Sequence, residues 1–147
     1  MKASSEDIGH LVLEVFRLNG RLLAAGDSVV GKLGLTSARW QILGAVMRHD
    51  RLHTVSELAR EAGVTRQAVQ RVTNALVQEG LLSKVENSKD KRAPLLDATA
   101  LGREIYDKAD KARREWLAGV AEGLSVEEVS QSIRLLLRIQ RSLELSL

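Results

Sequence analysis

Cysteine is absent from all 147 residues. With it go disulfides, thiolate nucleophiles, cysteine-ligated zinc and thiol redox sensing. Proline occurs once, at Pro94, so almost nothing in the chain forbids helix. Aromatic residues make up only 3% of a sequence that is 44% hydrophobic. The core must therefore come from Leu, Val, Ala and Ile, a set that favours helices. No apolar run approaches the roughly 18 residues of a membrane span. The opening "MKASSEDIGHLVLEVF" lacks both the apolar stretch and the small-residue cleavage site of a signal peptide. A cytoplasmic protein without a membrane partner is expected. A large excess of one charge is missing too: 22 Lys and Arg against 19 Asp and Glu leave +3. That mildly basic balance suits a nucleic-acid partner without demanding one.

Catalytic signatures are also missing. There is no Gly-rich phosphate loop, nucleophile elbow or HExxH, and His10, His49 and His53 have no evident convergent carboxylates. Neither an enzyme nor a cofactor is expected. The length suits one domain with one core.

What is present is helical periodicity. Ile8, Leu11, Val15, Leu18, Leu22, Ala25 and Val29 alternate steps of three and four, with Val12, Phe16, Leu23 and Val30 as a second stripe. The C-terminal segment repeats this with Val129, Ile133, Leu136, Gln140, Leu143 and Leu147, broadened by Leu135, Leu137 and Ile139. Its start is marked by a capping box, Ser125 with Glu128. The two end helices could cover each other within one chain. The amount of apolar surface favours a homodimer interface built from both.

Between the ends lie shorter elements. "LTSARWQILGAVMR" reads as a helix capped by Thr36, with Trp40, Leu43 and Met47 on one face. "TVSELAREAG" opens on a capping box, Thr54 with Glu57, and stops at Gly63; "TRQAVQRVTNALVQEG" starts at Thr65 and stops at Gly80. "LLSKVEN" and "RAPLLDA" predict a short hairpin, and Thr99 caps another long helix.

Two short capped helices joined by "EAGVT" are how a helix-turn-helix reads in sequence. In the second, Val69, Val72, Thr73 and Leu76 share an inner face. The opposite arc carries Arg66, Gln67, Gln70, Arg71 and Asn74, with no acid before Glu79. Arg pairs bidentately with guanine, and Gln or Asn with adenine, in the major groove. A merely solvated face usually mixes signs, as the preceding helix does with Glu57, Arg60 and Glu61.

"LTSARWQIL", "TVSELAREAGVTRQAVQRVTNALVQEGLLSK" and "DKRAPLLDATALGREI" together resemble the multiple antibiotic resistance regulator (MarR) family, over nearly the whole chain. The resemblance implies a mainly α fold with a small β-wing: a winged helix-turn-helix with N- and C-terminal dimerisation helices. It implies a lobe over residues 36–98 and a dimerisation region over 5–30 and 99–147, within a single domain of 1–147. It also implies double-stranded DNA as partner: a homodimer on a palindromic operator, usually a repressor released by a small molecule. In the family's wing an aspartate pairs with an arginine that enters the minor groove; carried over, Asp90 holds Arg92. Lys89 and Lys91 would neutralise flanking phosphates. The sequence departs from the pattern at Pro94, read in the returning strand at an edge or unbonded position. It departs again at Ala98, where the family often has Leu.

Other residues carry weaker readings. His49 and His53 have the spacing of a helical metal pair, but Thr54 restarts a helix at once, which favours a helix end plus loop and no metal site. Family effectors bind between the dimer helices and the DNA-binding lobe. Arg17, Arg39 and Trp40 are therefore candidate contacts for a small aromatic or anionic effector, with a surface ion pair equally open for Arg39. Trp40 and Trp116 otherwise read as core or interface. The alternative to DNA binding is a winged helix used for protein contacts, which should carry exposed apolar anchors on its recognition arc.

Overall fold

Short polar caps set the boundaries of the helices. A computed structural model describes residues 1–145. Its elements are α1 (Ser5–Val30), α2 (Ser37–Arg48), β1 (His53–Thr54), α3 (Val55–Ala62), α4 (Arg66–Gln78), β2 (Leu82–Val85), β3 (Leu95–Ala98), α5 (Ala100–Ala121) and α6 (Val126–Glu144), with a 3₁₀ turn at Gly31–Leu33. The hydroxyls of Thr36, Thr54 and Thr65 accept the backbone N–H of Arg39, Glu57 and Ala68. Thr99 does the same for Gly102. Each satisfies a donor that the first helical turn leaves unpaired. The Ser125–Glu128 capping box forms in full, and a second joins Ser4 to Asp7 ahead of α1. Hydrogen bonds from Ser125 and from Ser4 hold both carboxyls below their ordinary range.

The chain divides into two compact units, Met1–Arg113 and the residues from Arg114 onward. The described core lies wholly in the first, between Val30 and Ala109. Leu43 of α2, Leu58 of α3, Val69, Thr73 and Leu76 of α4, Leu82 of β2 and Leu96 of β3 are fully buried. Burying each leucine contributes about 1.5–3 kcal/mol. At its C-terminal end α1 joins this core. Ser37 donates its hydroxyl to the Leu23 carbonyl (2.7 Å) and its N–H to Asp27 (2.6 Å). The rest of α1 is left uncovered: Ile8, Val12, Val15, Phe16, Leu18 and Leu22 are exposed. In the second unit, α6 buries none of its described residues. Leu147, the last position of the C-terminal apolar stripe, falls outside the described residues.

The hairpin is part of a three-stranded antiparallel sheet of order β1–β3–β2. Strand β3 pairs Leu95 and Leu96 with Thr54 and His53 on one side, and runs from Leu95–Val85 to Ala98–Leu82 on the other. The returning strand is therefore central, which leaves no edge for Pro94. Its pairing starts at Leu95, and the proline takes the unbonded position of the two expected, one residue before the strand rather than within it. Ala98 is buried opposite Leu82, so its small side chain is absorbed by the core.

Candidate nucleic-acid interface

Helix α4 is held by its turn and its inner face. Gly63 has φ +66°, a left-handed conformation that costs a residue with a Cβ roughly 1 kcal/mol or more. It lets the N–H groups of Gly63 and Val64 return to the carbonyls of Arg60 and Ala59, which closes α3 two residues before the Thr65 cap of α4. The same bond pattern ends α4, with Gly80 to Val77 and Leu81 to Leu76. Val69, Thr73 and Leu76 are buried and Val72 is half-buried, as the periodicity predicts.

The outward arc is as polar as expected. Arg66, Gln67, Arg71 and Asn74 are exposed, and Gln70 is half-buried. The Gln70 amide donates to Asn74 Oδ1 at 2.9 Å, so these two side chains are positioned as a pair. The acid that closes the helix, Glu79, bonds Arg39 Nη1 at 2.6 Å, which mutes its charge next to the arc.

The wing tip between β2 and β3 exposes Lys89, Asp90, Lys91 and Arg92. Asp90 lies beside Arg92, but its hydrogen bond goes to the Arg92 backbone N–H (3.0 Å). The guanidinium Nε stands at 3.6 Å, ion-pair range rather than bonding range. With its side chain 95% exposed, Arg92 is free to reach outward. Lys91 lies 3.9 Å from Glu86, both fully in solvent, a pairing worth little. Helix and wing meet at a small cleft lined by Ser56, Arg66, Gln70, Lys84, Arg92 and Pro94. Three cations and no carboxylate line that cleft, an arrangement whose self-repulsion is relieved by an anion. Lys84 was missed in the sequence, where it reads as one polar residue of a weakly alternating strand. Asn87, buried in the wing, was missed as well.

The remaining candidates are dispersed. Arg17 pairs with Glu14 on its own helix, Arg39 with Glu79, and Trp40 packs against the core. A cavity of about 460 Å³ between α1, α2, α3 and α4 is lined by none of the three. Leu23, Ile42, Leu58, Val69 and Val72 form its apolar walls, and Arg48 and Glu61 supply opposite charges. His49 is the C-terminal cap of α2 and His53 lies in β1, so the pair does not share a helix. Their rings still approach to 4.0 Å between centroids. His49 Nε2 bonds Glu61 and His53 Nδ1 bonds the Arg51 carbonyl. Among the described residues no group of three or more His, Asp or Glu is placed to hold a metal ion. No described helix is long and apolar enough to cross a membrane.

Comparison with known proteins converges on these elements. A sequence profile of the MarR family matches residues 33–93, from the 3₁₀ turn to the wing tip. An uncharacterized protein of Mycobacterium tuberculosis is 46% identical over 101 residues, 69% of each chain. The transcriptional repressor MdtR of Bacillus subtilis is 27% identical over 98% of this chain and 92% of its own. The transcriptional activatory protein BadR of Rhodopseudomonas palustris is 26% identical over 93% and 80%. Among solved structures, M. tuberculosis MosR in complex with DNA superposes with a TM-score of 0.75 at 25% identity, covering 89% of this chain and 96% of that one. A mutant of Escherichia coli MarR in complex with operator DNA gives 0.80 at 22% identity, covering 94% and 99%, a likeness of fold. With one fold, one family profile and relatives that regulate transcription, the chain belongs to the MarR family, winged helix-turn-helix transcription regulators that are not enzymes.

Proposed function

We propose that the chain acts in the cytoplasm as a homodimer that binds a palindromic double-stranded DNA operator in a sequence-specific way. One observation carries this reading: Arg66 and Gln70, from the acid-free arc of α4, and the wing arginine line a single cationic cleft. Arg66, Gln67, Gln70, Arg71 and Asn74 would read base edges in the major groove. Arg92 would enter the adjacent minor groove, where negative potential is greatest over narrow A·T-rich steps. Asp90 shapes the wing turn, and Lys89 and Lys91 offset its repulsion from the phosphates. The likeness to two structures solved with DNA supports the same docking. A two-fold dimer on such a site would place its recognition helices about 34 Å apart. The segments 5–30 and 99–147 would supply the dimer interface, and 36–98 the DNA-binding lobe.

Repression released by a small molecule is the regulatory form we favour. The cavity of about 460 Å³ is the size of a small-molecule site, and Val69 and Val72, on the inner face of α4, form part of its wall. A ligand there would bias the position of the recognition helix and so the population competent for DNA. An aromatic or anionic effector would find apolar walls and Arg48.

The test is titration of the purified protein against DNA from its own upstream region, beside a scrambled duplex, at two salt concentrations. Tight binding to the upstream duplex alone, weakened in Arg92→Ala with the dimer intact, is expected. Equal, salt-sensitive binding to both duplexes would remove sequence specificity from the reading. No binding even at low salt would favour a winged helix used for protein contacts.

A further inference from the structure

Asn87 is the one polar residue buried in the wing loop, 9% exposed, while its neighbours from Glu86 to Arg92 lie in solvent. Its side chain spans the turn. Nδ2 donates to the Ala93 carbonyl at 2.9 Å, and Oδ1 accepts the N–H of Lys89 at 3.1 Å. These two bonds bracket the segment from Lys89 to Arg92. Inside them lies a smaller lock, in which Asp90 accepts the Arg92 N–H through its carboxylate and the Ala93 N–H (3.1 Å) through its own carbonyl. Asp90 closes only the last residues of the tip. Asn87 joins the outgoing side of the loop to the residue that precedes Pro94.

We propose that Asn87 is a positioning residue for the wing, fixing where Arg92 stands relative to the N-terminus of α4 before DNA arrives. The inference rests on the DNA-binding reading above. The bonds use both ends of an amide: one atom donates to a carbonyl while the other accepts an N–H, and the Asn side chain offers both on one planar group. Aspartate keeps the acceptor and turns its second oxygen against the Ala93 carbonyl; alanine loses both bonds. Arg92 contacts the cleft beside Arg66 and Gln70, yet its own guanidinium has only a 3.6 Å ion pair to hold it. Its placement is therefore inherited from the backbone, and the backbone is tied by Asn87. A loop ordered in advance does not have to be ordered at binding.

The experiment compares wild type, Asn87→Ala, Asn87→Asp, Arg92→Ala and the Asn87→Ala/Arg92→Ala double variant. Affinity is read by fluorescence anisotropy on a duplex enriched by the wild-type protein from a random-sequence pool. Asn87→Ala and Asn87→Asp should each weaken binding about five- to tenfold, with melting temperature and oligomeric mass close to wild type. The double variant should bind no more weakly than Arg92→Ala alone, because Asn87 acts through that side chain. Additive losses would overturn the inference, since a residue with a separate structural role would add. So would unchanged affinity in both Asn87 variants while Arg92→Ala weakens binding. Global unfolding of both Asn87 variants would make the residue a determinant of folding, and the inference would fail. If the wild type enriches no duplex, the DNA-binding reading falls and this inference falls with it.

Discussion

At the scale of single residues, the interface is governed by which polar groups are spare and which are committed. On α4, Gln70 and Asn74 hold each other while Arg66 stands exposed at the first helical position. Arg66→Ala or Gln70→Ala should relax base preference at one operator position, by roughly 1–3 kcal/mol for a bidentate contact. Competition binding against single-base variants of the operator measures it, and uniform weakening across all variants would reassign the residue to phosphate. Glu57 illustrates the committed kind. The Arg51 guanidinium at 2.5 Å leads the forces holding its carboxyl below the ordinary 4.5, with the Arg51 and His53 charges and the Thr54 N–H adding to them against a desolvation cost. Because the folded value is the lower one, this stabilisation is complete above pH 4.5 and is lost as pH falls through the folded value. Arg51→Ala should therefore lose less stability than wild type on acidification below pH 4.5, while costing under about 1 kcal/mol near neutrality for so exposed a pair. Urea denaturation at a series of pH values checks both; parallel curves would remove the pair from acid stability.

At the scale of elements, the ends of α4 and the start of α5 form one joint. Thr99 donates its hydroxyl to the Gly80 carbonyl and its N–H to that of Leu81, at 2.5 and 3.1 Å. A Cβ on Gly102 would stand 2.0 Å from the Leu81 oxygen, which is backbone and cannot swing aside. Gly102→Ala should thus push α5 off this joint and destabilise the first unit by about 1–3 kcal/mol, read from the midpoint of chemical denaturation. A midpoint unchanged from wild type would show that the joint yields freely. The elements themselves were legible because their signals are local: Thr36, Thr54, Thr65 and Ser125 each announce a helix within four residues, and Gly63 and Gly80 end one. Strand β1 was not legible. It is two residues long, and its partner Leu96 lies far along the chain. The same distance hid the Arg39–Glu79 bond, forty positions apart. Asn87 and Asp90 show the limit most clearly. Asn87 in "NSKDKR" looks like any turn residue until the fold buries it, and Asp90, which pairs with the Arg92 side chain at 3.6 Å, gives no sign in the sequence of its closer bond with the Arg92 backbone N–H.

At the scale of the whole molecule, the apolar surface left uncovered carries the argument for a second copy. Val129, Ile133, Leu136 and Leu143 recur on α6 at heptad steps, and Ile133 is 52% exposed. On α1, Ile8, Val15, Leu18 and Leu22 do the same. A solvated helix has no need of a seam repeated over five turns, and leaving it in water forgoes roughly 25 cal/mol for each Å² that a partner would cover. If the seam is a two-fold interface, each changed residue is present twice, so one charge acts against its own copy or beside it. Ile133→Glu should then convert the dimer to a monomer, as measured by light scattering at micromolar concentration. Affinity for a palindrome should fall about 10²–10⁴-fold while a single half-site is bound as before, because only the linkage of two readers is lost. A dimer that persists with full affinity would place the interface elsewhere and leave the α6 seam without a function. A monomer that still bound the palindrome at full strength would separate dimerisation from DNA recognition, and the two-fold operator would have to be abandoned.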